Sequence, residues 1–167
     1  MLPLVLNPQH IKAGLVGRGA ARDRRAALLA EAGVDAVILP DDAPDDALKP
    51  LTVLFVAGLG EGESRQLAGR ARALGVLVNV EDVLPLCDFH VPALVRRGDL
   101  LLTASTGGQV PGLARALREV LAEQFGPEWT GRLKELSMAR ARWRSEGLST
   151  GQVSENVREL LARMGWL

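Results

Sequence analysis

The sequence holds a single cysteine, no excess of either charge and no apolar run long enough to cross a bilayer. Each shortage removes a class of protein. Cys87 alone closes no internal disulfide and builds no cysteine-rich metal site, and a reducing, cytoplasmic compartment fits such a chain. Lys plus Arg number 20 and Asp plus Glu number 20, so no global field draws the molecule to nucleic acid or to a lipid surface. The opening Met1-Leu2-Pro3-Leu4-Val5-Leu6-Asn7-Pro8 lacks a basic leader, so the chain is expected to be unprocessed and independent of membranes. With His10 and His90 as the only histidines, neither a Ser-His-Asp set nor a zinc-ligand spacing can be assembled. Hydrolytic and zinc chemistry are disfavoured, and no resident metal is expected.

What is present has a clear rhythm. In 167 residues, 47% of them hydrophobic, there is material for one good core and a small extension. Ala13 to Val16, Ala36 to Leu39, Thr52 to Ala57 and Val76 to Val80 are strand-length runs of the kind buried on both faces. Helical patterns over Ala21 to Ala32 and Glu63 to Leu74 lie between them, each stopped by a glycine, Gly33 and Gly75. Strand, helix, strand in this order predicts an α/β fold with a parallel sheet. Pro40 to Pro50, crowded with Asp41, Asp42, Asp45 and Asp46, is too short for a full crossover helix and reads as a loop with at most one helical turn. A hairpin follows, Ala93 to Arg96 and Leu100 to Ala104 around Arg97-Gly98-Asp99. Beyond Pro111 the chain is helical, over Leu113 to Phe125, Pro127 to Ser145 and Gly151 to Met164.

Several positions carry candidate chemistry. Gly17-Arg18-Gly19-Ala20 joins the first strand to the first helix, where glycines let the backbone approach a pyrophosphate held by free helix amides. A plain turn explains the same residues, and Arg22 at the third small position of the dinucleotide fingerprint should crowd helix against strand. Asp41 or Asp42, about twenty residues on, stands where a ribose-binding carboxylate is expected, although a solvated acidic loop also accounts for them. Asp82 lies just past the carboxyl end of the fourth strand, where open parallel sheets bind ligands, and suits a general base or a metal ligand; a surface carboxylate is the competing reading. Adjacent Glu81 points elsewhere by alternation. Ser105-Thr106-Gly107-Gly108, between a strand and a helix, offers hydroxyls and amides to an anionic group, or forms a simple turn. His90 and Cys87 read as structural. Trp129, Trp143 and Trp166 fall in the helical tail beside Arg140, Arg142 and Arg144; without regular aromatic interleaving they suggest helix packing or a subunit contact rather than nucleic acid.

Taken in order, these residues resemble the siroheme synthase N-terminal family of precorrin-2 dehydrogenases, some of which are also sirohydrochlorin ferrochelatases. The resemblance rests on Leu2-Pro3-Leu4-Val5-Leu6, Arg24 to Gly33, Val78-Asn79-Val80-Glu81-Asp82, Cys87-Asp88-Phe89, Pro92 to Leu100 and Ser105 to Arg115. It implies a Rossmann-like NAD-binding domain over 1–86, a dimerisation hairpin with a substrate loop over 87–112, a helical C-terminal domain over 113–167, and a homodimer. It also implies the activity: oxidation of precorrin-2 to sirohydrochlorin with NAD. The roles it carries over are Asp82 as catalytic acid/base, Gly17, Arg18, Gly19, Ala20, Asp41 and Gly58 around NAD, and Ser105, Thr106, Gly107, Gly108, Arg97 and Arg115 around the carboxylates of the tetrapyrrole. No fused methyltransferase is expected with this chain. The departures cluster on the nucleotide side. Arg18 and Arg22 interrupt the usual glycine loop, Gly58-Leu59-Gly60 and Ser64 replace an Ala-Thr-Asp-Asp and Asn pattern, and the stretch between Leu39 and Thr52 is short. A second reading therefore keeps the tetrapyrrole site but not hydride transfer, leaving a protein that binds or metallates its ligand.

Overall fold

The structure is a computed structural model that describes residues 2–167. The chain divides into two compact units, Met1–Val91 and Pro92–Leu167.

The first unit is a four-stranded sheet, β1 (Ala13–Gly17), β2 (Ala36–Leu39), β3 (Val53–Ala57) and β4 (Leu77–Val80), in the order β2-β1-β3-β4. All three pairings are parallel, as the alternation of strands and helices predicts. Helix α1 (Gly19–Glu31) connects β1 to β2, the one-turn α2 (Asp45–Leu48) lies between β2 and β3, and α3 (Glu61–Ala73) connects β3 to β4.

Burial divides the strands by their period of two. Leu15, Val53 and Phe55 pack with Leu29 and Ala26 of α1 on one face. Val16, Leu54, Val56 and Val78 pack with Leu67, Ala68 and Ala71 of α3 and Leu48 of α2 on the other. Leu15, Val16, Val53 and Leu54 are fully buried, so the two central strands are covered on both sides. Strand β2 departs from the expectation of two-sided burial. Val37 and Ile38 are 56% and 53% exposed, because β2 is an outer strand and its neighbouring connection, α2, is too short to cover it.

The second unit opens with a two-residue hairpin, β5 (Ala93–Arg97) and β6 (Leu100–Ala104), paired antiparallel. Three helices follow: α4 (Pro111–Gln124), α5 (Trp129–Ser145) and α6 (Thr150–Arg163). The Arg97 guanidinium donates to the carbonyl oxygens of Phe125 at 2.8 Å and Ala122 at 3.2 Å, placing a cation on the open C-terminal carbonyls of α4. Trp129 is buried against Phe125, their rings 5.1 Å apart. Arg132 lies between the rings of Trp129 and Trp166, 5.2 Å and 5.1 Å from their centroids. Two of the three tryptophans thus serve helix packing. Among the described residues no helix is long and apolar enough to cross a membrane.

Candidate functional site

The carboxyl ends of β1, β2 and β3 form a crevice whose floor is backbone. Gly17 pairs with Ala57 across β1 and β3, and a Cβ on Gly17 would stand 1.8 Å from the Ala57 carbonyl oxygen. A Cβ on Gly58 would stand 2.4 Å from the Arg18 carbonyl oxygen. The two loops touch main chain to main chain, which only glycine permits. Helix α1 then begins with no side chain capping it and no acid in its first turn, and the space over Gly19 is open for 4 Å. Uncapped amides beneath open space are what a pyrophosphate requires. Arg22 does not crowd the helix against the strand, contrary to the sequence expectation. Its guanidinium turns outward to Asp23, and Ala21 takes the close contact with the Gly58 loop.

A cavity of about 700 Å³ opens here, lined by Gly17, Arg18, Arg22 and the stretch from Ile38 to Asp42 at the end of β2. Asp41 borders it at the place the sequence assigns to a ribose carboxylate. Arg18 lines it and reaches two carboxylates. The Arg18 Nε donates to Asp41 Oδ2, and Nη2 donates to Glu63 Oε1 at 2.9 Å. The two hydrogen-bonded carboxylates raise the Arg18 pKa above its ordinary value. Glu63 is a site residue that sequence reasoning missed. Its other oxygen accepts from the Gly60 amide at 3.0 Å, capping α3. The signal was available as a glutamate three residues after Gly60 at a helix start.

The carboxyl end of β4 carries a second cluster. Asp82 has φ of 61°, and it is the only residue other than glycine with positive φ among the described residues. Aspartate tolerates this conformation better than most side chains. The residue is exposed, and no salt bridge involves its carboxylate among the described residues. Glu81 turns the other way, 4.0 Å from both Arg24 and Arg25 of α1. The following loop is clasped back onto β4. The Cys87 thiol donates to the Val80 carbonyl at 3.1 Å, Asp88 Oδ2 accepts from the Val78 amide at 2.8 Å, and Asn79 Nδ2 donates to the Phe89 carbonyl at 2.9 Å. Arg72 of α3 holds the other Asp88 oxygen at 2.8 Å, and the Phe89 ring meets Phe55 edge-on at 5.4 Å. Val78 to Asp82 and Cys87 to Phe89 are therefore two halves of one clasp, which fixes the backbone on either side of Asp82. Its return along β4 packs residues 87–91 into the first unit. Arg25 is a further residue the sequence did not single out. It lies over the Phe55 ring at 5.5 Å, its Nη1 is buried without a partner, and burial pushes its pKa down.

In the second unit, Ser105-Thr106-Gly107-Gly108 forms a tight turn before α4. The Ser105 hydroxyl accepts from the Gly107 amide at 3.3 Å and the Thr106 hydroxyl from the Val110 amide at 3.2 Å. Each hydroxyl keeps its own proton to donate to an anion. Arg115 is exposed, 3.2 Å from Glu119. Arg97 is turned toward the backbone, donating to the carbonyl oxygens of Phe125, Ala122 and Arg96 and keeping two further N–H donors. Among the described residues no three His, Cys, Asp or Glu side chains are grouped to hold a metal ion.

A parallel β2-β1-β3-β4 sheet, with a glycine turn feeding an uncapped helix at its carboxyl edge, defines a Rossmann-like dinucleotide-binding protein. The family described as "Putative NAD(P)-binding" matches residues 4–93, more than half of the sequence, and the chain belongs to that family. Siroheme synthase of Nitrosococcus oceani is 32% identical over 164 residues, covering 86% of this chain and 34% of the relative. Siroheme synthase of Chromobacterium violaceum is 34% identical over 151 residues, covering 78% and 32%. The chain thus spans about a third of the length of these curated relatives. Among solved structures, SirC, a precorrin-2 dehydrogenase, shares the fold with a TM-score of 0.72 at 18% identity, covering 96% of this chain and 89% of that one.

Proposed function

We propose that this protein is a cytoplasmic, homodimeric precorrin-2 dehydrogenase that uses NAD to make sirohydrochlorin. The observation that carries the reading is the coexistence of two features at the carboxyl edge of one sheet: an uncapped glycine-loop helix after β1 suited to a dinucleotide, and a clasped, exposed Asp82 at the end of β4, two strands away. The siroheme synthase relatives, aligned over most of the chain, supply the substrate class.

In the proposed reaction precorrin-2 loses a hydride and a proton, giving sirohydrochlorin, NADH and H⁺. Bound NAD supplies the hydride acceptor. The loop backbone of Gly17, Arg18, Gly19 and Ala20 would hold its pyrophosphate side and Asp41 its ribose, and Gly58 would keep the loops close enough to leave room. Asp82 accepts the proton at its carboxylate. The left-handed backbone at Asp82 and the clasp behind it fix the main chain from which that carboxylate projects. Precorrin-2 bears many carboxylates. The Ser105 and Thr106 hydroxyls, the loop amides of Gly107 and Gly108, and Arg115 are assigned to them, with Arg97 setting the position of α4.

An apolar row supports the homodimer. Val110, just before α4, and Leu113, Leu117 and Val120 within it recur at helical spacing and are 51%, 50%, 42% and 57% exposed. Leu117→Glu is expected to convert the dimer to a monomer in light scattering at micromolar concentration, with the helical circular dichroism retained; a wild-type monomer would count against the dimer.

The deciding experiment is anaerobic NADH formation by the purified chain with freshly generated precorrin-2 and NAD. NADH in proportion to sirohydrochlorin establishes the dehydrogenase. Tetrapyrrole binding without NADH would instead favour the redox-inactive reading.

A further inference from the structure

Four charged side chains line the cavity at the carboxyl end of β2, Arg18, Arg22, Asp41 and Asp42, and Arg22 is paired outside it to Asp23. A carboxylate in this place receives ribose hydroxyls, whereas an arginine accepts the 2′-phosphate that distinguishes NADP from NAD. Asp41 and Arg18 both line the cavity, and they are paired to each other although 23 residues separate them in sequence. Arg18 is held on its other edge by Glu63, whose second oxygen is fixed by the Gly60 amide. The Arg18 guanidinium thus faces two carboxylates, and this three-residue bridge carries a net negative charge. An incoming 2′-phosphate meets repulsion from Asp41 and finds the arginine already occupied. A ribose hydroxyl needs only the Asp41 oxygen that Arg18 does not use.

We propose that the Asp41–Arg18–Glu63 bridge sets the cofactor preference of this site, with Asp41 keeping a latent 2′-phosphate ligand, Arg18, out of use and thereby selecting NAD over NADP. The inference rests on the dinucleotide reading of the glycine loop. It adds that the discriminating group is an arginine inside that loop, neutralised from the end of the neighbouring strand. Removing the carboxylate leaves Arg18 anchored by Glu63 alone, at the same cavity wall and with its Nε free.

Calorimetric titration of the full chain with NAD and with NADP, on the wild type, Asp41→Asn, Arg18→Ala and the double variant, tests it. All positions are partly exposed, so the fold should survive, and unchanged circular dichroism verifies this. The expected result is NAD binding by the wild type with weak NADP binding. Asp41→Asn should gain about ten- to hundredfold in NADP affinity, the range of one charge-assisted contact, and should lose NAD affinity several-fold. The NADP gain should vanish in the double variant. If the wild type binds NAD but Asp41→Asn gains nothing for NADP, or keeps its gain without Arg18, this inference is overturned and the dinucleotide site stands. A wild type that binds neither nucleotide overturns both.

Discussion

Asp82→Asn is expected to bind tetrapyrrole and NAD as the wild type does, yet to form NADH about 10²–10⁴-fold more slowly, the usual worth of a positioned general base. Asparagine is the informative replacement because of the backbone. The residue sits at φ of 61°, a conformation that asparagine shares readily with aspartate and that alanine adopts only at a cost. Asn keeps the turn and nearly the size, and removes only the ability to take a proton. Asp82→Ala confounds the two effects, since it strains the turn as well. Asp82→Gly relieves the strain and should be at least as stable as the wild type in urea while remaining as slow as Asp82→Asn. An Asp82→Asn protein that turns over at the wild-type rate would remove this carboxylate from the chemistry. Tetrapyrrole affinity falling together with the rate would make Asp82 a binding group instead.

How much of this arrangement the sequence discloses depends on whether a signal is local. Strands β1 and β3 are legible because Leu15, Val16, Leu54 and Val56 lie in runs with no polar residue to interrupt them, and β4 is legible although Asn79 falls between Val78 and Val80. Strand β2 carries the same kind of residues and reads identically, yet Val37 and Ile38 are exposed; position within a sheet is a property of the whole topology, which a short run does not encode. The location of Asp82 at a strand end is legible from the order of elements, but its left-handed backbone is not. The clasp made by Cys87 and Asp88 is equally hidden. Its partners are backbone groups of β4, reached 7 and 10 residues back, and a backbone carbonyl or amide has no letter in the sequence. The Arg18 bridge joins residues 23 and 45 positions apart, and its members are individually ordinary surface charges. Arg22 shows the converse. It breaks a motif on paper, but a long side chain can rotate to Asp23 and leave the close packing to Ala21.

Gly17→Ala is expected to be the most damaging small substitution in the first unit, lowering stability by about 3 kcal/mol or more in chemical denaturation. The added carbon would stand 1.8 Å from the Ala57 carbonyl oxygen and 2.8 Å from its carbon, and both are main-chain atoms that no rotamer change can move aside. Relief requires parting β1 from β3, the two central strands. Leu15 and Leu54 are fully buried on opposite faces of this pair, so the parting is felt through both halves of the core. Gly19→Ala separates this structural task from the binding one. Nothing lies within 4 Å of a Cβ at Gly19, so its cost is confined to the backbone at φ of +59°, about 1 kcal/mol. The same carbon enters open space at the start of α1, beside which the pyrophosphate is proposed to sit, so NAD affinity should fall although the fold persists. A Gly19→Ala protein with undiminished NAD affinity would make the loop a plain turn and move the nucleotide elsewhere. Loss of NAD binding in a folded Gly19→Ala protein, beside an unstable Gly17→Ala protein, would assign the first glycine to holding the sheet together and the second to the ligand.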